Sequence, residues 1–241
     1  MTISSSTSIN TIQFTTLAPA YSFTNSNFAV FGINGAGIVN NSAFAPSFTN
    51  TLAFIFFNSG TAGNAAITNN GAISFLGGSS AGNSTITSNS LFTLSFSDTS
   101  TAGSATITSN GALTQFTTNS NGGNARFITN AGGIVNFSGS SGPLGDGDIS
   151  AGSIEGAGTY QLGTNRLIVG SNDLSTTVSG SIQDGGAGGS LVKEGSGTLT
   201  LTGSSNIGGD LTLSSCGCAT TGGVTISGGS DRKSTRLNSS H

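Results

Sequence analysis

The serine-rich run at residues 78–82, GSSAG, has the G-x-S-x-G spacing with which many serine hydrolases present their nucleophile. That chemistry needs a strand-to-helix turn under Ser80 and a histidine that accepts the serine proton. Residues 1–230 contain no histidine, because His241 is the only one in the chain. We therefore expect no serine hydrolase, and the match follows from the abundance of Gly and Ser.

A second set of residues with chemical potential is a group of acids beside one arginine. Parallel β-helices host polysaccharide lyases and hydrolases that use acids together with Arg or Lys on one exposed sheet. A glycan-cleaving enzyme is therefore one alternative function, and it requires two carboxylates within about 10 Å on one face. The residues concerned are Asp146, Asp148, Glu155 and Arg166.

Residues 145–148 of that group read GDGD, which could present two hard oxygen ligands to Ca²⁺. The full nonapeptide calcium repeat is absent, and no third acid lies close in sequence. A solvated turn of glycine and aspartate is the favoured interpretation. We expect no metal site, no cofactor and no catalytic residue.

The only cysteines, Cys216 and Cys218, are separated by one residue. A disulfide between them would be strained in an extended chain and would need a loop to close it. Two thiols are too few ligands for a zinc site. We expect an exposed thiol pair or a small loop disulfide, and neither implies an enzyme.

The strands and turns that must position these residues are indicated by a ten-residue sequence repeat, which we call the phrase and which occurs four times between residues 61 and 130. Each copy has a central glycine, then Ile or Phe at its seventh position and Asn at its end, and the glycines follow one another at steps of 19, 21 and 20 residues. A repeat of about this length predicts a solenoid in which each copy is stable only when stacked on its neighbours. The central glycines are Gly63, Gly82, Gly103 and Gly123.

A second short strand follows each copy of the phrase. Its phenylalanines recur at nearly the same period, so we expect them to stack inside the coil as a ladder of Phe75, Phe96, Phe116 and Phe137. The extra residue between Leu113 and Phe116 suggests a bulge. The asparagines that end the phrases predict turns at one corner and a ladder of hydrogen-bonded amides. They are Asn70, Asn89, Asn110 and Asn130.

The composition agrees with strands and turns. Charged residues are 6% of the chain, against roughly 25% for a typical globular protein. The 39 glycines would break helices, and Ile, Leu, Val and Phe occur in short runs that fit strands. We predict an all-β solenoid with almost no helix, about 20 residues per rung and about eleven rungs.

The last eleven residues, 231–241, resemble a translated sequencing adapter, and we exclude them from the native chain. Residues 1–230 then carry three bases against eight acids, a balance of −5. Nothing in that balance would neutralise a phosphate backbone, so we expect no nucleic-acid partner. Residues 1–20 lack the pattern of a secretory signal, and no stretch is apolar enough for a membrane helix. We therefore expect an internal piece of a longer chain.

Five stretches follow from these patterns. Residues 1–50 are expected to form irregular early rungs, residues 51–138 the repeat rungs, residues 139–190 a glycine-rich continuation, residues 191–230 a region of strict alternation, and residues 231–241 the adapter.

Residues 188–203, GGSLVKEGSGTLTLTG, resemble the autotransporter-associated β-strand repeat of Gram-negative passenger regions. Residues 151–160 and 174–180, with the Ala-Gly-Asn phrases, resemble the segments that precede that repeat in large passengers. The resemblance covers roughly residues 51–213. It departs from the family pattern after Asn206, where the usual YTGGT continuation is replaced by IGGD and an insertion around the cysteines.

The resemblance implies a right-handed parallel β-helix, an export signal before it and a C-terminal β-barrel that anchors it in the outer membrane. This chain shows neither the signal nor the barrel. The implied function is a surface-displayed structural stalk with an adhesive role, on the cell surface or secreted as part of a longer precursor. Its implied partners are a host-cell, matrix or neighbouring-cell surface and the β-barrel of the parent chain.

Ice binding is the remaining alternative, because regular rows of outward threonines face water in ice-binding solenoids. Thr198, Thr200 and Thr202 alternate with leucines in this manner. Ice binding needs Thr-x-Thr on one flat face through many rungs, whereas threonine is also simply a good outward strand residue. The phrase TIT at residues 106–108 becomes AIT at residues 66–68, which interrupts the row.

Overall fold

The computed structural model describes residues 1–89, 92–214, 223–226 and 238–239. Within these ranges there is no helix, so no helix there is long and apolar enough to cross a membrane. The strands pair in parallel and stack as a β-solenoid of about 10 turns with ~22 residues per turn. The predicted all-β solenoid is therefore confirmed, with turns slightly longer than expected.

The described residues form 24 strands. The first twelve are β1 (Thr2–Ile3), β2 (Thr7–Phe14), β3 (Ser22–Asn25), β4 (Val30–Asn40), β5 (Ser47–Asn58), β6 (Ala66–Leu76), β7 (Thr85–Ser88), β8 (Thr93–Phe96), β9 (Thr106–Ser109), β10 (Leu113–Thr118), β11 (Arg126–Thr129) and β12 (Ile134–Ser140). The others are β13 (Asp148–Ala151), β14 (Ser153–Glu155), β15 (Thr159–Gln161), β16 (Arg166–Val169), β17 (Thr176–Val178), β18 (Ser181–Gln183), β19 (Ser190–Lys193), β20 (Leu199–Leu201), β21 (Ser205–Asn206), β22 (Leu211–Leu213), β23 (Val224–Ile226) and β24 (Asn238–Ser239).

The pairings define three faces around a common core. Face A contains β1, β3, the first halves of β5 and β6, then β7, β9, β11, β14, β17, β20 and β23. Face B contains the first halves of β2 and β4, the second halves of β5 and β6, then β8, β10, β12, β15, β18 and β21. Face C contains the second halves of β2 and β4, single bridges from Gly37 to Asn121, then β13, β16, β19, β22 and β24.

The turn length varies along the coil. Face A pairs Asn25 with Asn50, 25 residues apart, but Asn50 with Asn69, only 19 apart. The short turns are those of the ten-residue phrase, and the longer ones carry extra residues in loops such as 41–46 and 141–147. The estimate of about 20 residues per rung describes the central repeats alone, because the phrase occurs only there.

The predicted phenylalanine ladder is confirmed and is longer by one ring. Phe57 lies below Phe75, and successive rings from Phe57 to Phe137 have centroids 4.7–4.9 Å apart and planes within 20° of parallel. All five rings are buried. This spacing equals the distance between hydrogen-bonded strands, so each ring stacks on its counterpart one turn away.

The predicted bulge lies on a different strand. β8 and β10 stay in register from Leu113 to Phe116, whereas the register shifts between β10 and β12, beyond Gln115. The extra residue therefore belongs to β12. Leu113 faces outward, and Thr114 takes the buried place that Leu94 holds one turn below. The hydroxyl of Thr114 lies 3.0 Å from the buried hydroxyl of Ser109. Because the two hydroxyls form a hydrogen bond, a polar side chain can occupy this buried position.

The predicted asparagine corner is confirmed for three of its members. The side-chain amide of Asn130 donates to Asn110 at 2.6 Å, and that of Asn110 donates to Asn89 at 2.7 Å. The turn predicted at residues 70–71 is wrong, because β6 continues through it without interruption. Gly71 is needed there for close packing, since a Cβ atom would lie 2.3 Å from the Ala53 carbonyl oxygen.

A buried column of polar side chains lies one residue before that corner and was not predicted. The amide of Asn25 donates to Asn50 at 3.3 Å, and that of Asn50 donates to Asn69 at 3.0 Å. Asn69 in turn donates to the hydroxyl of Ser88 at 3.3 Å. These side chains point into the coil, and Asn50 also donates to the carbonyl oxygens of two corner residues, at 3.0 and 3.1 Å.

The strand pairing continues across the boundaries proposed from sequence. β5 crosses residue 50, β12 crosses residue 138 and β19 begins at residue 190, each within a continuous face. Residues 1–50 pair in parallel with the turns that follow them. The two cysteines and most of the adapter-like tail lie outside the described residues.

Candidate functional site

The hydrolase-like motif is part of a turn that is repeated from rung to rung. The amide of Gly82 donates to the hydroxyl of Ser80 at 2.9 Å, and Thr61 and Thr101 accept the same bond in neighbouring rungs at 3.0 Å. The central glycines of these turns have φ near +60°, a conformation that favours glycine. Ser80 therefore caps its own turn, and the strand-to-helix geometry of a nucleophile elbow is not formed.

The acids singled out from the sequence divide between two faces. Arg166 and Asp148 form a two-point ion pair between β16 and β13 on face C. Glu155 instead accepts from Arg126 at 2.6 Å, and that pair joins β14 to β11 on face A. Each pair links two adjacent turns, which is a structural arrangement.

The remaining acid of this group is Asp146. Its carboxylate accepts a hydrogen bond from the backbone amide of Asp148 at 3.1 Å. The hydrogen bond from Arg166 lowers the pKa of Asp148 below its ordinary value. A glycosidase acid needs a raised pKa, so this pair does not resemble one. In the described part of the chain, no three His, Cys, Asp or Glu residues are grouped closely enough to hold a metal ion.

The first 97 residues contain no Asp, Glu, Lys, Arg or His, and the first charged side chain is that of Asp98. The first four turns therefore present surfaces made of hydroxyl, amide and apolar groups. A long uncharged surface of this kind is unusual, since roughly a quarter of residues in a typical domain are charged. The fold alone does not require such a surface.

On face A the uncharged surface includes an unbroken column of threonines. The column runs in register through Thr24, Thr49, Thr68, Thr87 and Thr108. The neighbouring outward column is less regular, because Ala66 interrupts it and Arg126 ends it. Within these two neighbouring columns, Thr-x-Thr pairs therefore occur on two adjacent turns, whereas ice binding requires many.

On face B the same uncharged region carries a cluster of apolar side chains, which we call the apolar patch. Phe54 and Phe56 point outward from β5, with ring centroids 6.4 Å apart and planes within 11° of parallel. The turn before contributes Val30, the register partner of Phe54. The exposed corner residues Phe28 and Leu52 complete the patch.

Sequence reasoning missed this patch. The run at residues 52–57, LAFIFF, suggests a wholly buried strand when its composition alone is considered. Ile55 and Phe57 are buried, but the phenylalanines between them face outward. The signal that could have revealed the patch is the alternation rule itself, because a run that is apolar at both phases must present an apolar side to water.

The block that resembles the autotransporter repeat forms ordinary rungs of the coil. Leu191, Leu199 and Leu201 point into the core, as their alternation with polar residues predicts. Lys193 also points inward, although it is a lysine and only 3% exposed. Its ammonium group donates to the backbone carbonyls of Glu194 and Gly195, so the charge is satisfied at a corner of the coil.

Asp184 is a second charged side chain that the fold encloses, with an exposed fraction of 5%. Its carboxylate accepts backbone N–H bonds from Gly186, Gly188 and, one turn away, Gly208, at 2.7–2.9 Å. Burial raises the pKa of Asp184, but the backbone donors, with Gly189 among them, outweigh burial and hold the pKa below its ordinary value. The carboxylate thus joins two successive turns.

We expect Asp184→Asn to lower the free energy of unfolding by about 2–3 kcal/mol at pH 7, because hydrogen bonds to a charged acceptor are lost. The folded-state pKa is depressed, so the carboxylate stabilises the fold above its unfolded pKa of about 3.9. That stabilisation disappears as the pH falls through the folded-state pKa. The difference between variant and wild type should therefore shrink below about pH 4 in urea titrations.

Asp210→Asn is the matched control, because Asp210 is an exposed acid on the neighbouring turn. It should change the free energy of unfolding by less than about 0.5 kcal/mol. An Asp184→Asn effect as small as this, or one independent of pH, would contradict the role assigned to the carboxylate.

These features define the molecule as a repeat protein of the parallel β-solenoid class, with an uncharged surface on its first turns. Comparison with known proteins does not narrow this class: no protein-family model matches the chain, and neither do the curated proteins or the solved structures.

Proposed function

We propose that this chain is part of the passenger region of a Gram-negative autotransporter, where it acts as a stalk displayed on the cell surface. The single observation that supports the proposal best is the uninterrupted parallel stack of about 10 turns. At about 4.8 Å per turn the stack is a rod of roughly 50 Å, long enough to hold an outer region away from a membrane. The rungs near Leu191, with the sequence pattern of the family repeat, add specific support.

Stacking also suggests how such a stalk would reach the surface. Each turn buries its apolar side chains only against its neighbours, so turns fold by addition to those already formed. Rungs that have folded outside the cell would disfavour sliding of the chain back through the membrane. In this proposal the C-terminal β-barrel of the parent chain is the membrane anchor, and the polar surface of the rod contacts a host cell, matrix or neighbouring cell.

The parent gene provides the first test. Its complete reading frame should encode an export signal before the solenoid and a C-terminal outer-membrane barrel after it. A reading frame that lacks the barrel would overturn the autotransporter assignment and leave the solenoid fold untouched.

Surface display provides the second test. The full chain, placed between an export signal and an autotransporter barrel, should appear on intact cells and be removable by added protease. The matched Phe96→Asp variant should be displayed less well, because a charge in the phenylalanine ladder prevents stacking of the turns. Retention of the wild-type chain in the periplasm, while an established passenger of similar length is displayed, would argue against the proposal.

A further inference from the structure

The apolar patch contains two residues whose backbone conformation is unfavourable. Phe28 has φ +57° and Leu52 has φ +50°, in the left-handed region that bulky residues seldom adopt. Each lies two residues before a member of the register pair Val30 and Phe54, so the two occupy corresponding corners of successive turns. Two later turns place glycine at this corner, Gly111 with φ +69° and Gly132 with φ +80°.

Neither residue is held there by burial. Phe28 is 67% exposed and Leu52 is 49% exposed. Glycine or asparagine would relieve the strain at these positions, and a polar side chain would avoid the exposed apolar surface. Two successive turns therefore keep a bulky apolar residue in a strained and exposed corner. Such departures from the usual conformational and burial preferences of residues are typical of binding sites.

The neighbours of the patch leave its two central rings prominent. On the turn after, the outward residues are Ala72 and Ser74, and on the turn before, Gly32 is the register partner of Phe56. Apart from Val30, which is the register partner of Phe54 and belongs to the patch, the side chains beside the two large rings are therefore small. Phe54 and Phe56 therefore form a short platform that rises above the sheet on both sides.

The absence of charge restricts what can bind to this platform. Residues 1–97 contain no charged side chain, so the site offers no cationic partner to the phosphates of nucleic acid or to anionic lipid headgroups. Two turns at about 4.8 Å and two alternate-residue steps at about 6.8 Å give an area of roughly 10 by 14 Å. That is far below the ~800 Å² per partner of a stable protein interface.

We propose that the apolar patch is a binding site for a neutral polysaccharide. Sugar rings have apolar C–H faces that pack against aromatic rings, and their hydroxyl groups pair with uncharged hydroxyls and amides such as those around the patch. The apolar faces of the sugars lie on Phe54 and Phe56, while Phe28 and Leu52 form the rim at the corner. The site does not depend on the autotransporter assignment, although an adhesive stalk would use it.

The test is depletion of the full chain from solution by insoluble neutral glucans, cellulose and a β-1,3-glucan, with insoluble polygalacturonate as the anionic counterpart. At least one neutral glucan should retain the chain. Raising the ionic strength from about 0.1 M to about 1 M should change that retention little, because no ion pair is involved. The double variant Phe54→Thr, Phe56→Thr should bind at least about tenfold more weakly, since two stacked rings are lost.

Two further variants separate binding from folding. Thr93→Ala with Ser95→Ala changes the corresponding outward positions on β8, two turns from Phe54, and should bind as the wild type does. Phe28→Asn places a residue that tolerates positive φ in the strained corner. It should therefore keep or raise the urea midpoint while weakening retention. The Phe54 and Phe56 double variant should still be displayed on cells, so failure of this proposal is distinguishable from failure of the stalk.

Several outcomes would overturn the proposal. They are retention by neither neutral glucan, equal retention of the wild type and the double variant, and binding to polygalacturonate alone. Association with phosphatidylcholine vesicles that depends on Phe54 and Phe56 would assign the patch to a lipid surface instead. A dimer in ultracentrifugation that the double variant abolishes would assign it to a second copy of the chain.

Discussion

Replacing Phe96 by alanine is expected to lower the free energy of unfolding by about 3–5 kcal/mol, the range for deletion of a buried phenylalanine ring. Phe96 is fully buried, and its ring stacks on Phe75 and Phe116 with centroids 4.8 Å away on both sides. The strands above and below are held at the hydrogen-bonding distance, so the neighbouring rings cannot close the gap. The cavity therefore remains, and both stacking contacts are lost.

Urea unfolding followed by far-ultraviolet circular dichroism measures this effect. The slope of the transition carries separate information, because each turn of a solenoid is stabilised mainly by its neighbours. If the loss at Phe96 divides the coil into two units that unfold separately, the apparent slope will fall. A lower midpoint at constant slope indicates that the coil still unfolds as one unit.

Phe44→Ala is the control, since it removes the same atoms from a loop residue that is 56% exposed. It should change the free energy of unfolding by less than about 1 kcal/mol. If Phe96→Ala also has an effect below this value, the phenylalanine ladder is not a major source of stability.

The phenylalanine ladder was predictable because its residues recur in the sequence at a nearly constant spacing. Phe75, Phe96 and Phe116 recur at steps close to the length of one turn, and parallel stacking converts equal spacing directly into contact. The central glycines of the ten-residue phrase also repeat at one phase, and all four have φ near +60°. In both cases a residue type repeats at one phase, so an error of one residue in a single copy does not change the inference.

Details that depend on a single residue step were not predictable in this way. Asn69 and Asn70 are adjacent and identical, yet Asn69 is buried whereas Asn70 is only partly buried. Strand side chains alternate, so a shift of one residue exchanges inside and outside. The sequence pattern indicated an asparagine ladder at the corner but could not reveal that a second one lies within the coil.

The candidate site was less predictable than the fold. Asp148 and Glu155 are seven residues apart, but a corner between them places them on different faces, where each forms its own ion pair. The position of a corner is determined by packing of the turns on either side. For the apolar patch, side-chain alternation implies an outward apolar row in residues 52–57, but only the register with neighbouring strands decides whether Phe54 or Phe57 faces water.

Asn50→Asp is expected to lower the free energy of unfolding by about 3–5 kcal/mol at pH 7, the range for leaving a buried charge unpaired. The substitution conserves size, so no cavity is formed. It replaces the amide nitrogen of Asn50, which donates to Asn69 and to the carbonyl oxygens of Ala53 and Ala72. One oxygen of an ionised carboxylate at this fully buried place would keep the Asn25 amide as its donor, whereas the other oxygen would face three acceptors.

The pH dependence should be opposite to that of Asp184. A fully buried aspartate that has one weak donor and three nearby acceptors has a raised pKa in the folded state, so acidification protonates it and restores one donor. The deficit of Asn50→Asp relative to wild type should therefore decrease as the pH is lowered from 7 toward about 4 in urea titrations.

Asn110→Asp is the matched control, because Asn110 occupies the middle of the exposed ladder in the same way that Asn50 occupies the buried one. Its carboxylate can turn to water, so the loss should stay below about 1 kcal/mol at either pH. Equal losses for the two variants would mean that burial does not distinguish the ladders. A larger loss at Asn50 that recovers with acid identifies the inner amides as the donors that satisfy the backbone where the coil turns from face A to face B.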